Sequence, residues 1–202
     1  MTNSPIFLNF DVETLGTRPS SIVLSLACVP FRIDENKSFE EYVKDGFSVK
    51  FDKHEQRDKY HRTVDKSTID WWKKQSSEAR AVYEDSDEDM TMEDGLTELS
   101  KYLHESEYRF DDRKSFVFCR GNYFDFPMIE SMYQQIGKNL PFNTWAIRDI
   151  RTFVDVLTGS SDGYGKYKNL NIPGFIAHNC LHDTCADIVR MKTVYQDVFG
   201  ED

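Results

Sequence analysis

Apolar residues in this chain come in short bursts between polar stretches, and the spacing within each burst predicts a mixed α/β fold. Ile6, Phe7, Leu8 and Phe10 form a β-compatible run that stops at Leu15-Gly16, predicting a strand over 6–13. "SIVLSLACVPF" (21–31) predicts a second strand after a turn containing Gly16, Pro19 and Ser20, and the alternation of "FSVKF" (47–51) predicts a third. Residues 52–66 mix acids with Lys53, Arg57, Lys59, Arg62 and Lys66 and read as a solvated loop. "STIDWWKKQSSEAR" (67–80) predicts a helix capped by Ser67 or Thr68, with one of Trp71 and Trp72 packed inward.

In the second half, Leu96, Leu99 and Leu103 recur at helical spacing behind a Thr91/Asp94 capping pattern. "SFVFCRGNYFDFPMIESMYQQIG" (115–137) reads as strand, turn and helix, with Asp125 at the junction and Pro127 in the first helical turn. Residues 144–157 fit strand and helix equally well, and 160–169 form a Gly-rich loop without the G-x-x-x-x-G-K-[ST] phosphate cradle. A last helix is predicted from Asp183 as N-cap, with Ile188, Met191, Tyr195 and Val198 as its apolar stripe. With neither an internal repeat nor a linker, one domain over 1–202 is expected.

Composition narrows the picture. Among 202 residues, 15 Phe, 10 Tyr and 3 Trp exclude a disordered chain. The formal charge of −10 argues against a protein that grips nucleic acid along a broad basic surface, but leaves room for an enzyme that handles a strand end. No apolar stretch approaches membrane-spanning length, and "MTNSPIF" has neither a basic start nor an apolar signal core, so a cytoplasmic protein without membrane contact is expected. Cys28, Cys119, Cys180 and Cys185 form no C-x-x-C pair and read as reduced thiols rather than disulfides or zinc ligands.

The chemistry starts at "NFDVETLG". On a strand, positions i and i+2 share a face, so Asp11 and Glu13 project together. Two such carboxylates repel unless one is protonated or a cation lies between them, and a hard divalent ion prefers oxygen ligands. Asp125 and Asp187 stand near the ends of other predicted elements, with His182 five residues before Asp187. If the last helix begins at Asp183, His182 lies in the preceding loop and can swing toward the same cavity, where a histidine is suited to take a proton from water.

The order Asp11, Glu13, Asp125, His182, Asp187 resembles the DEDDh branch of the DnaQ-like 3′–5′ exonucleases: "DVET", "YFDFPMI" and "HDTCAD" match its three motifs. "KSTIDWWKKQSSEAR", "CRGNYFDFPM", "RDIRT" and "GFIAHNCLHDTCADIVRMK" look more narrowly like the exonuclease A (DexA-type) proteins of T-even-like tailed phages. The resemblance implies an RNase H-like fold, a mixed β-sheet flanked by α-helices. It also implies a two-metal 3′–5′ exodeoxyribonuclease that releases nucleoside 5′-monophosphates from the 3′ end of single-stranded DNA. Asp11, Glu13, Asp125 and Asp187 would hold two Mg²⁺ or Mn²⁺ ions and His182 would be the general base. Thr14, Leu15, Gly16, Trp71 and Phe124 would contact substrate, the backbone amides of the 14–16 turn meeting the 3′-hydroxyl. His178 and Asp183 share the same five-residue spacing; Asp183 is read as the cap and His178 as a loop hydrogen-bonder. No obligate protein partner is implied, and the location implied is the cytoplasm of an infected host. The alternatives are an exoribonuclease on short RNA, a non-catalytic nucleic-acid-binding module on the same fold, and an acidic interaction protein.

Overall fold

The computed structural model describes residues 4–200, so the first three residues of the stretch read for a secretion signal lie outside the described part. Five strands, β1 (Phe7–Thr14), β2 (Val23–Phe31), β3 (Phe47–Lys50), β4 (Val117–Cys119) and β5 (Ile147–Asp149), form one sheet in the order β3-β2-β1-β4-β5. β1, β2 and β3 are antiparallel neighbours, whereas β4 runs parallel to β1 and β5 parallel to β4. The mixed sheet flanked by helices is the α/β class the pattern predicts. The helices are α1 (Phe39–Asp45), α2 (Lys53–Tyr60), α3 (Lys66–Trp72), α4 (Ser77–Arg80), α5 (Met92–Glu105), α6 (Asp125–Gln135), α7 (Ile150–Thr158) and α8 (Cys180–Phe199).

The two faces of β1 explain where the site lies. Leu8, Phe10 and Val12 point into a core filled by Leu96, Leu99 and Met132 of α5 and α6. The alternate positions, Asn9, Asp11 and Glu13, therefore face the other side, where Ile188 and Met191 of α8 pack with Val29, Phe31 and Phe118. Asn9 is buried there and its amide donates to the Thr184 carbonyl at 2.9 Å, pinning α8 against the central strand beside the carboxylates.

Several local expectations are corrected. Residues 53–60 form a helix rather than a loop, because the Asp52 side chain accepts from the amides of His54 and Glu55 and caps it. The buried Gln56 then acts as a surrogate strand partner, accepting from the Val23 amide and donating to its carbonyl. Arg62 is buried rather than solvated, donating to the Ser21 and Pro19 carbonyls and to Gln135. The stretch 67–80 breaks into α3 and α4, and the cap of α4 is Ser76, accepting from Ala79. Residues 144–157 are both strand and helix, β5 running straight into α7 through the Asp149 cap. As expected, one tryptophan packs inward: it is Trp72, with 2% of its surface exposed, while Trp71 lies open at 41%. All four cysteines are buried free thiols.

Candidate active site

The decisive local feature is the start of α8. Asn179, not Asp183, caps it: the Asn179 carboxamide oxygen accepts from the His182 amide at 3.1 Å. Asn and Asp are comparable N-caps, so residue preference alone did not separate them. Moving the cap back four residues puts His182 inside the helix and places Asp183, Asp187 and Arg190 on one face, at i, i+4 and i+7. His178 becomes the residue before the cap. It adopts a left-handed backbone (φ 63°), and its amide donates to Asp183 Oδ2 at 2.7 Å.

These residues open onto a cavity of about 510 Å³ lined by Asp11, Glu13, Asp125, His178, Asp183 and Asp187. Donor atoms of Glu13, His178 and Asp183 lie within 4.8 Å of one another, close enough to share an ion. Asp125, at the first position of α6, is 3% exposed and accepts from the Cys119 thiol. The structure thus brings Asp11, Glu13, Asp125 and Asp187 together as expected, but His182 does not join them. Its ring packs edge-on against Phe39 at 5.4 Å between centroids, and its Nδ1 accepts from the Ile176 amide at 3.1 Å. His182 supports the loop before α8, and the histidine facing the carboxylates is His178.

Asp187 also departs from expectation. Its carboxylate accepts from Arg120 Nε at 3.0 and 2.9 Å and from Arg190 Nη1 at 2.9 Å, so two guanidiniums already occupy it. Asp183, one helical turn earlier, has no such cationic clamp among the described residues and offers the freer carboxylate. Sequence reading singled out neither Arg120 nor Arg190 and suggested Asp183 as the cap of α8; the periodicity of α8 counted from Asn179 was the signal that could have placed Asp183 and Arg190 on the site face.

Electrostatics mark the cluster as short of positive charge. Burial raises the Asp11 pKa well above the ordinary carboxylate range, and Glu13, Asp125, Asp183 and Asp187 add repulsion. Burial, then Asp183 and Asp125, push Glu13 up to about 8. Asp183 is raised to about 7 by burial and by Asp187, against the His178 amide and the two arginines. Asp125 is also raised to about 7, mainly by burial, although the Cys119 thiol and backbone amides favour its anion. A buried carboxylate group that resists ionising together fits divalent cations, which favour oxygen donors and cancel the repulsion. Burial lowers the pKa of His178, which favours the neutral imidazole.

The flank beside β2 is built by the tryptophans. Trp72 Nε1 donates to the Thr14 carbonyl at 2.9 Å, locking the end of β1. The exposed Trp71 meets the His178 ring edge-to-face at 4.7 Å. In the 14–16 turn, the Leu15 amide donates to the Ile22 carbonyl at 2.8 Å and the Leu15 side chain is buried. That amide is therefore not free to meet a 3′-hydroxyl. At Gly16 a Cβ would lie 2.4 Å from Ser21 Oγ, so the turn closes only with glycine. Phe124 lines the cavity from the opposite flank and is partly exposed.

Known proteins resemble this chain in sequence and in fold. Residues 7–194 match the family described as the 3′–5′ exoribonuclease Rv2179c-like domain. An exodeoxyribonuclease of Enterobacteria phage T4 is 35% identical over 208 residues, covering 94% of this chain and 89% of that protein. Cell-death related nuclease 4 superimposes with a TM-score of 0.65 at 12% identity, over 95% of this chain and 64% of that one. E. coli exonuclease I in complex with a dT13 oligonucleotide superimposes with a TM-score of 0.57 at 15% identity, over 96% of this chain and 42% of that one. The chain thus spans about two fifths of the exonuclease I chain and shares its fold. It belongs to the 3′–5′ exoribonuclease Rv2179c-like family and is a 3′–5′ exonuclease with an RNase H-like fold.

Proposed function

We propose that this protein is a metal-dependent exodeoxyribonuclease that shortens single-stranded DNA from its 3′ end and releases nucleoside 5′-monophosphates. The observation that carries the reading is the convergence of Asp11 and Glu13 from β1, Asp125 from α6, and His178 and Asp183 around α8 on one cavity. Asp11, Glu13, Asp125 and Asp183 would hold two divalent ions, with Mg²⁺ or Mn²⁺ the natural choice for an all-carboxylate set. Such ions, when bound, would supply charge neutralisation at the phosphate and lower the pKa of water.

The side chains do the rest. His178 accepts the proton of the attacking water at a ring nitrogen; its neutral form is favoured by burial, and the Asp183 carboxylate, held by the His178 amide, lies beside the ring to stabilise the imidazolium that forms. Trp71 offers a stacking face next to His178 for the terminal base. Phe124 borders the cavity on the other flank, where the next base would pass. Thr14 and Gly16 shape the turn beneath the terminal sugar; Leu15 supports it from the core.

The phage relative bears the name exodeoxyribonuclease and the matched family is described by exoribonuclease activity, so RNA is the second reading. The test is to digest 5′-labelled DNA and RNA strands of one sequence side by side with Mg²⁺, Mn²⁺ or chelator. Laddering of DNA from the 3′ end, lost with chelator and slower on RNA, supports the proposal. Faster RNA decay replaces it with the exoribonuclease reading, and persistence of both strands in either metal removes catalysis altogether. Among the described residues no helix is long and apolar enough to cross a membrane. The reading places the enzyme in the cytoplasm, acting as one domain on strand ends without an obligate protein partner.

A further inference from the structure

Four carboxylates suffice for the ion set proposed above, which leaves Asp187 as a fifth. Its 5% exposure and its two guanidinium partners give it a different task. One carboxylate against two arginines leaves that trio one positive charge in excess, and Lys168 lines the same cavity. Both arginine side chains are largely buried, at 12% and 11% exposure, yet neither is saturated. Arg120 donates through Nε to Asp187 and through Nη1 to the Gly163 carbonyl, while its Nη2 has no partner among the described residues. Arg190 likewise keeps Nε unpaired. The Tyr164 ring lies over both, with its centroid 3.9 Å from the Arg120 guanidinium carbon and 5.7 Å from that of Arg190. A buried ion pair kept merely for stability is a poor bargain for the fold, and unpaired buried donors make it worse. The arrangement suits a guanidinium pair awaiting an anion.

Position identifies the anion. Arg120 directly follows β4, which pairs with β1 on the side away from β2. His178 lies on the other flank, where it lines a second cavity with Ser25 of β2 and Ser48 of β3. In an in-line displacement the entering and leaving oxygens sit on opposite sides of the phosphorus. With the base on the β2 flank, the departing 3′-oxygen faces the β4 flank, and the strand attached to it runs past the arginines. We propose that Arg120 and Arg190, positioned by Asp187 and covered by Tyr164, form the subsite for the phosphodiester immediately 5′ of the scissile one. Guanidiniums offer planar forks that match phosphate oxygens, and a shift of the Tyr164 ring exposes the unpaired Arg120 donor to the strand. The subsite would read backbone charge and not base identity, so a chain with a net charge of −10 can still hold an anionic polymer at one point.

This inference rests on the nuclease reading. The test uses wild-type protein and Arg190→Gln with DNA strands carrying one uncharged methylphosphonate linkage, stepped upstream from the 3′ end. Single-turnover kcat/KM should fall about 10–100-fold in wild type when the linkage next to the scissile one is neutral, and little when it is further upstream. Arg190→Gln should lose a similar factor on the all-phosphate strand and nothing more on the neutralised one. A merely structural role would make the two losses multiply, and that result, or wild-type indifference to the neutral linkage, overturns the proposal. So does weakened inhibition by a nucleoside 5′-monophosphate in Arg190→Gln without any methylphosphonate effect, because the anion would then be the product. If wild type cleaves no strand, the nuclease reading fails separately. The same pair of proteins and strands is then compared by fluorescence anisotropy in Ca²⁺, where unchanged affinity for the neutralised strand, or no binding, rejects the subsite.

Discussion

At the scale of single residues, the carboxylates are the most exposed to test. Asp11 is held above its ordinary pKa by burial and by its anionic neighbours, so its charge opposes folding of the metal-free protein. Asp11→Asn is expected to raise the melting temperature without divalent ions, by about 2–4 °C per kcal/mol relieved, while reducing cleavage to background. Thermal melts with chelator and end-label assays with Mg²⁺ check both halves; a lower melting temperature would show that the anion is satisfied without a cation. Asp11, Glu13 and Asp125 were legible in the sequence because a strand's alternation and a strand–helix junction fix where a side chain points. His178 and Asp183 were not, because two overlapping His-x-x-x-x-Asp pairs compete and the choice depends on which residue caps α8. Arg120 left no local trace, since its partner Asp187 lies 67 residues away, whereas Arg190, three residues from Asp187, becomes visible only once α8 is started at Asn179.

At the scale of elements, α8 carries the account. Its first turn sets Asp183 beside His178, and its third face residue, Arg190, reaches back to Asp187. Asn179→Ala removes the cap and is expected to cost about 0.5–2 kcal/mol, read as a lower urea midpoint at unchanged m. Asn179→Asp should keep most of that stability, whereas equal loss in both would show that the cap does not hold the helix start. Helix α5 offers a second check. A Cβ on Gly95 would lie 2.6 Å from Phe51 Cε1 and 2.9 Å from Val49 Cγ2, so Gly95→Ala should destabilise by about 1–3 kcal/mol despite alanine's better helix propensity. Strands β1 to β4 and α5 were legible from the apolar pattern, whereas the short β5 could not be separated from α7. Helix α2 was not, since its polar sequence buries little beyond Gln56 and is held by the Asp52 cap and by that side chain's bonds to Val23.

For the whole molecule, the raised carboxylates make stability a function of pH and metal. Between about pH 5 and 8 ordinary carboxylates in the unfolded chain are already ionised, while Glu13, Asp125 and Asp183, raised to about 8, 7 and 7, still hold protons in the folded one. The folded state then binds more protons, so stability of the metal-free protein falls as pH rises through this window. Mg²⁺ or Mn²⁺ should reverse the trend, raising the melting temperature more at pH 8 than at pH 5. A metal-free melting temperature that rises over the same window would contradict the charge deficit assigned to the cavity. The low share of basic residues, 25 Lys and Arg against 35 Asp and Glu, fits the proposed enzyme that takes a strand end into one cavity and not one that coats a duplex.

The most direct measurement compares kcat on a 5′-labelled single strand for His178→Ala and His182→Ala, each checked for folding by its melting temperature. His178→Ala is expected to lower kcat about 10²–10⁴-fold and His182→Ala to leave it near normal. A crippled His182→Ala beside an active His178→Ala would contradict the role proposed for His178.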